Sequence, residues 1–129
     1  IKWKNYIKSV KAYKQLQKQF PLLKLNCWTT VSSLNIGNLP SILDFTVEHN
    51  LEHDWAFLDK PDALNVKYKN KFTTSAKEKL NASSYKVCKD IANKIATDKD
   101  NSRQLDLYIK RQDFIRKIDI NNYFNFLPK

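Results

Sequence analysis

The chain has 129 residues, which is enough for one domain with one core, and its net charge is +10. It has no apolar run close to the roughly 20 residues that a membrane span needs, and no leader typical of a signal peptide. We therefore expect a soluble, cytoplasmic protein with no membrane partner. The sequence begins at Ile1 and contains no Met, so we expect the gene product to start upstream.

The positive charge comes almost entirely from lysine, with 20 Lys against 3 Arg. Arginine binds phosphates and base edges best because its guanidinium group makes two parallel hydrogen bonds. Together with 13 Asn, the lysine content is typical of proteins encoded by AT-rich genomes. We interpret the lysines as a solvated surface, which argues against a nucleic-acid partner. A small lysine-rich module that binds nucleic acid or protein is the alternative class.

The first predicted elements form a helix followed by a β–α–β unit. Apolar residues at helical spacing predict a helix over residues 2–19, and an apolar strand, Leu22–Val31, follows. Asn38 is a good N-cap for a helix over residues 39–49, and a second strand is predicted at Asp54–Asp59. Parallel strands joined by a helix rarely occur as an isolated pair, because both faces of such a sheet must be covered. The unit therefore indicates a piece of a larger α/β sheet or barrel.

Three further helices are predicted in the second half of the chain. Ser75 and Glu78 have the spacing of a capping box and predict a short helix through Leu80. Helical spacing predicts the other two over residues 84–95 and 103–117. The end of the chain, Ile118–Pro128, is rich in aromatic residues, and we expect it to pack against the body.

The residues from His49 to His53 match H-x-x-E-H, the zinc signature of inverzincin metallopeptidases. That chemistry requires one uninterrupted helix through both histidines. Asn50 is expected to end the helix in a left-handed cap, which would turn His53 away from His49. We therefore favour two surface histidines at a helix end over a zinc site.

Other residues with reactive side chains form no recognisable motif. Cys27 and Cys88 lie 61 positions apart without a metal-ligand spacing, so we predict two buried free thiols. A glycine-rich phosphate loop needs several glycines, and the chain has only Gly37. The sequence therefore specifies no reaction by motif alone.

The run Leu25–Asn35, followed by Leu39 and Pro40, resembles the fifth strand and following helix of radical S-adenosylmethionine enzymes. The segment Trp55–Pro61 is similar to the sixth strand of one branch, the twitch-domain-containing radical SAM proteins found in phages and bacteria. Three later positions also agree with that branch: Arg116, Asp119 and Pro128. The resemblance covers most of the chain but only the final third of such an enzyme. It implies an α/β fold, the C-terminal portion of a partial (β/α) barrel, with two parallel strands and about five helices in one partial domain over residues 1–129.

The resemblance also implies a function. The chain would be the C-terminal fragment of an enzyme that reductively cleaves S-adenosylmethionine to make a substrate radical, and it would be inactive alone. The C-x-x-x-C-x-x-C loop and the Gly-Gly-Glu motif of the family are absent, so we expect no catalytic or metal-binding residue in this chain. A 4Fe–4S cluster and S-adenosylmethionine are implied for the full-length enzyme only. The implied partners are a missing N-terminal barrel half and an unknown substrate.

In such a barrel, alternation along the first strand directs Leu25, Cys27 and Val31 towards the outer helices and the intervening residues towards the interior. Active sites lie at the carboxyl ends of the strands. The candidates for lining the cofactor or substrate cavity are therefore Thr30, Ser32, Asn35, Asp59 and Lys60. Ordinary barrel filling and loop capping remain the alternative for each. Because the first strand would have a free edge, we also expect the isolated chain to aggregate or dimerise.

Overall fold

The computed structural model describes residues 3–95 and 98–117. This part of the chain is a mixed α/β structure with a two-stranded parallel sheet, which confirms the predicted class. Its elements are α1 (Trp3–Gln19), β1 (Asn26–Val31), α2 (Leu39–Glu48), β2 (Glu52–Phe57), α3 (Lys71–Ala82), α4 (Lys86–Lys94) and α5 (Ser102–Arg116). None of these helices is long and apolar enough to cross a bilayer.

The two strands pair in parallel, from Asn26 opposite Glu52 to Val31 opposite Phe57. The predicted β–α–β unit is confirmed, and β1 ends at Val31 as expected, but the starts of both strands and the end of β2 were wrong. Leu22 lies in a turn and is 96% exposed, so β1 begins four residues later than expected. β2 begins two residues earlier than expected, because Asn50 has a φ of 48° and ends α2 abruptly. The N–H of Glu52 then donates at once to the carbonyl of Leu25 over 3.2 Å.

The prediction for α3 was wrong at both ends. The helix begins at Lys71 because Asn70 caps it: the Asn70 Oδ1 atom accepts from the N–H groups of Phe72 and Thr73. In return, the Asn70 N–H donates to the Thr73 hydroxyl over 2.9 Å. This is a capping box with Asn and Thr in place of the expected Ser75 and Glu78, which lie inside the helix.

The other helices differ from their predicted bounds by only one or two residues. Asn38 precedes α2 as predicted, but its side chain makes no capping hydrogen bond and a short 3₁₀ turn, Ile36–Asn38, leads into the helix. α4 begins at Lys86, with Tyr85 at the capping position. The aromatic segment Ile118–Pro128 lies outside the described residues.

The main core lies between the sheet and the helices α2, α3 and α4. Its largest fully buried side chains are Val31, Ile36, Leu39, Leu80, Cys88 and Ile91. A second, smaller cluster joins α3 to α5 through Phe72, Leu105 and Ile109. The main cluster contacts the sheet through Val31, Trp55 and Phe57, which project from one side of it.

Candidate functional site

The two faces of the parallel pair have very different surroundings. The covered face consists of Cys27, Thr29, Val31, His53, Trp55 and Phe57, and its apolar members pack against the main core. The opposite face consists of Asn26, Trp28, Thr30, Glu52, Asp54 and Ala56; we call this set the bare face. All of its members except the half-buried Ala56 are exposed. Sheet alternation was predicted correctly, since Cys27 and Val31 point to the helices while Trp28 and Thr30 do not.

The bare face has one large aromatic residue among polar ones. The Trp28 side chain is 63% exposed. Below it, towards the amino ends of the strands, the Asn26 amide donates to the carboxylate of Asp54. An exposed tryptophan in the middle of a parallel strand is unusual, because parallel sheets are normally covered on both faces.

The carboxyl end of β1 is shaped by the side chain of Asn35. Its Oδ1 atom accepts from the N–H of Ser32 over 2.8 Å, and its Nδ2 atom donates to the carbonyl of Thr30, also over 2.8 Å. Ser32 itself is buried, and its hydroxyl lies 3.4 Å from the same oxygen. Asn35 thus closes the turn after β1 and holds the backbone of Thr30 beside that turn.

A shallow recess of about 250 Å³ follows the edge of β1 that faces away from β2. Its walls include Trp3, Tyr6, Trp28, Thr30, Asn35 and Phe45; we call it the edge recess. The Trp3 ring lies 5.2 Å from that of Tyr6 and 4.9 Å from that of Phe45. Thr30 and Asn35, two of the five predicted lining residues, therefore share an aromatic-walled recess.

The remaining predicted residues, Asp59 and Lys60, lie in the loop after β2. Asp59 is exposed, and its carbonyl accepts from the Asn65 amide over 3.3 Å. The Lys60 ammonium group pairs with the carboxylate of Asp62 at 3.0 Å, and this hydrogen bond raises the pKa of Lys60. The N–H of Leu58 donates to the carbonyl of Val31, so this loop starts beside the end of β1. That all five residues line one cavity stays a prediction.

The two histidines do not share a helix. This agrees with the prediction that Asn50 ends the helix in a left-handed cap. His49 ends α2 and packs against the Phe45 ring at 4.4 Å. His53 was wrongly expected at the helix end: it lies in β2, on the covered face, with Nε2 2.9 Å from the Thr29 hydroxyl. Burial lowers the pKa of His53, and the Asp54 carboxylate partly opposes this effect.

Both cysteines are free thiols, as predicted. Cys88 is fully buried, and burial raises the pKa of its thiol. Cys27, on the covered face, is only half-buried, against expectation, and it contacts α1. Its sulfur lies 3.7 Å from the Tyr6 hydroxyl, and the pKa of Tyr6 is raised by burial and by this contact.

A buried polar network that sequence reasoning missed supports the carboxyl ends of the strands. The Asn70 amide donates to the Ser33 hydroxyl and to Asn101 Oδ1. The Asn101 amide donates in turn to the carbonyls of Asp62 and Ala63, in the turn after β2. Residues this far apart in sequence give no local signal, although Asn-x-x-Thr at Asn70 is a readable capping pattern.

Comparisons of the chain with models of protein families, with curated proteins and with solved structures give no match.

Proposed function

We propose that this chain is the C-terminal part of a radical S-adenosylmethionine enzyme, inactive alone, whose whole form cleaves S-adenosylmethionine reductively to make a substrate radical. The observation that carries the proposal is the bare face. In a (β/α) barrel, helices cover the outer face of each strand, and the inner face meets the side chains of the other strands. Among the described residues, helices cover only one side of the parallel pair, and this is the form of such a wall.

The described residues do not fit the iron–sulfur cluster. Clusters of this type are held by several Cys thiolates. Here Cys88 is buried in the core and Cys27 contacts Tyr6, and residues 3–95 and 98–117 contain no group of three potential metal ligands. In the proposed enzyme the cluster belongs to the preceding half of the barrel.

Thr30 is the residue of this chain best placed to contact a bound cofactor or substrate. Its side chain is exposed on the bare face at the carboxyl end of β1, where barrel active sites lie. The oxygen and the nitrogen of the Asn35 side-chain amide already bond to backbone groups, so Asn35 shapes the turn after β1 instead. Asp59 and Lys60, in the loop after β2, would line the neighbouring part of the same cavity.

The test is anaerobic reconstitution of the protein encoded together with its upstream reading frame. We expect formation of 5′-deoxyadenosine from S-adenosylmethionine and dithionite, and none from the 129-residue chain. Thr30→Ala should raise KM for S-adenosylmethionine or substrate by about two- to tenfold, the effect of one hydrogen bond. Thr74→Ala, at an exposed position on α3, is the matched control. An upstream frame without C-x-x-x-C-x-x-C, or a reconstituted protein that makes no 5′-deoxyadenosine, would contradict the proposal.

One observation favours the alternative, a lysine-rich module that binds nucleic acid. α1 contains no acidic residue, and Lys4, Lys8, Lys11 and Lys18 recur on one exposed stripe of the helix. A salt titration with a random DNA duplex separates the two proposals. Submicromolar binding at physiological salt with a steep salt dependence would favour the module. We expect negligible binding, because the stripe contains no arginine.

A further inference from the structure

The edge of β1 that faces away from β2 carries backbone groups without a partner in the described part of the chain. The ladder to β2 uses the carbonyls of Leu25 and Val31 at its two ends. In a parallel pair the residues of one strand alternate between its two edges. The N–H groups of Asn26, Trp28 and Thr30 therefore point to the free edge. The Thr30 carbonyl on that edge is already engaged by Asn35.

α1 runs antiparallel to β1. Near its start, Trp3 lines the edge recess together with Thr30, which ends β1. Near its end, the Gln17 amide donates to the carbonyl of Leu23, just before β1, over 2.8 Å. A chain that enters α1 therefore arrives at the carboxyl end of β1. This is the path of the second half of a strand–helix–strand crossover.

An apolar groove lies between α1 and residues 23–26, which lead into β1. Its volume is about 360 Å³, and its apolar lining comes from Tyr6, Val10, Tyr13, Leu23, Leu25 and Leu51. Tyr13 and Leu16 on α1, and Phe20 directly after it, are large exposed apolar side chains at helical spacing. With the edge recess, the groove gives two apolar depressions beside β1 and the residues that lead into it, which suits alternate side chains of an extended segment.

We propose that the free edge of β1 is the docking site of one parallel β-strand, supplied by the residues directly before α1. Strand–helix–strand crossovers are right-handed in nearly all proteins. With α1 on the covered face, that strand must lie on the side of β1 opposite β2. It would accept from the N–H groups of Asn26, Trp28 and Thr30 and place alternate apolar side chains in the groove and the edge recess. This proposal rests on the barrel part of the proposed function and not on its radical chemistry.

Backbone hydrogen exchange tests the docking. In the protein that includes its upstream residues, the amides of Asn26, Trp28 and Thr30 should exchange at least about tenfold more slowly than in the dilute 129-residue chain. This protection should not depend on protein concentration. Equal exchange, or protection that rises with concentration and so assigns the edge to a second copy, would overturn the proposal. So would a gene product with too few residues before α1 to form a strand.

A groove variant gives a second readout that does not require the cluster. Tyr13→Glu should destabilise the longer protein more than the 129-residue chain, because a carboxylate would be buried only under the docked strand. Leu107→Glu, at a comparably exposed position on α5, should affect both proteins equally. Equal effects of Tyr13→Glu in the two proteins would overturn the proposal. If docking is found without 5′-deoxyadenosine formation, the chemistry fails and the strand assignment stands.

Discussion

The side-chain amide of Asn70 donates to Oδ1 of Asn101 over 3.0 Å, and the two residues are 2% and 4% exposed. Each asparagine stands at the start of a helix, α3 and α5 respectively. Through Ser33 and the carbonyls of Asp62 and Ala63, the pair joins these helix starts to the loops that leave β1 and β2. The carboxyl ends of both strands are thus held by one hydrogen-bonded network.

Asn70→Ala should therefore be strongly destabilising. The substitution removes the cap of α3, at about 1 kcal/mol, and leaves buried partners such as Ser33 and Asn101 with unmet hydrogen bonds, at about 1–3 kcal/mol. We expect a loss of about 2–4 kcal/mol in urea unfolding. Asn81→Ala, at an exposed position near the end of the same helix, should change the free energy of unfolding by less than about 0.5 kcal/mol. Equal effects of the two substitutions would contradict the role of the network.

His53 should make the fold less stable in acid. Its pKa is lowered in the folded protein because burial disfavours the charged ring. The unfolded chain therefore binds a proton at higher pH than the folded one, so stability falls as the pH drops below the ordinary histidine pKa of about 6.5. The check is the urea midpoint at pH 7.5 and pH 5. His53→Gln should reduce the difference between the two midpoints; an unchanged difference would show that other groups cause it.

The Tyr85 hydroxyl should contribute to the packing of α4 against α2. It donates to the carboxylate of Asp44 over 2.8 Å, and this hydrogen bond raises the pKa of Tyr85. Tyr85→Phe should therefore lower the urea midpoint slightly at neutral pH, because the hydrogen bond is exposed to solvent. Asp44→Asn in the Tyr85→Phe background should then have little further effect. Additive losses from the two substitutions would indicate that the pair does not interact in solution.

The two thiols should differ in reactivity. Cys88 is fully buried with a raised pKa, and the thiolate is the reactive form, so Cys88 should react with a thiol reagent only after unfolding. Cys27 is half-buried and should react in the folded protein. Rates measured on Cys27→Ser and Cys88→Ser separate the two positions. Fast labelling of Cys88 in the folded protein would contradict the core described above.

The sequence predicted the elements better than it predicted their ends or the network. The β–α–β unit could be predicted because its signals are local and consecutive: an apolar run, an N-cap position and a second strand. The start of α3 was missed because Ser75 and Glu78 offered a familiar capping pattern, whereas the cap in the structure comes from the buried Asn70. The partners of Asn70 at Ser33 and Asn101 lie too far away in sequence to be inferred locally.

The direction in which the strand residues face was predicted only in part, because the start of β2 was wrong. Alternation along β1 placed Trp28 and Thr30 on the side away from the helices, and the structure agrees. His53 was misassigned because β2 starts two residues earlier than its apolar pattern suggested. That shift moved His53 from the helix end into the sheet.

The most direct test of the central claim, that this chain is part of a larger barrel, is its mass in solution at micromolar concentration. Because no described residue pairs with the free edge of β1 and Trp28 is exposed on the bare face, the isolated 129-residue chain should form dimers or aggregates through the region of Leu23, Leu25, Cys27 and Trp28. Trp28→Lys should reduce this association, whereas Phe114→Lys, at an exposed position on α5, should not. A stable monomer that unfolds cooperatively would show a self-sufficient domain and contradict the claim.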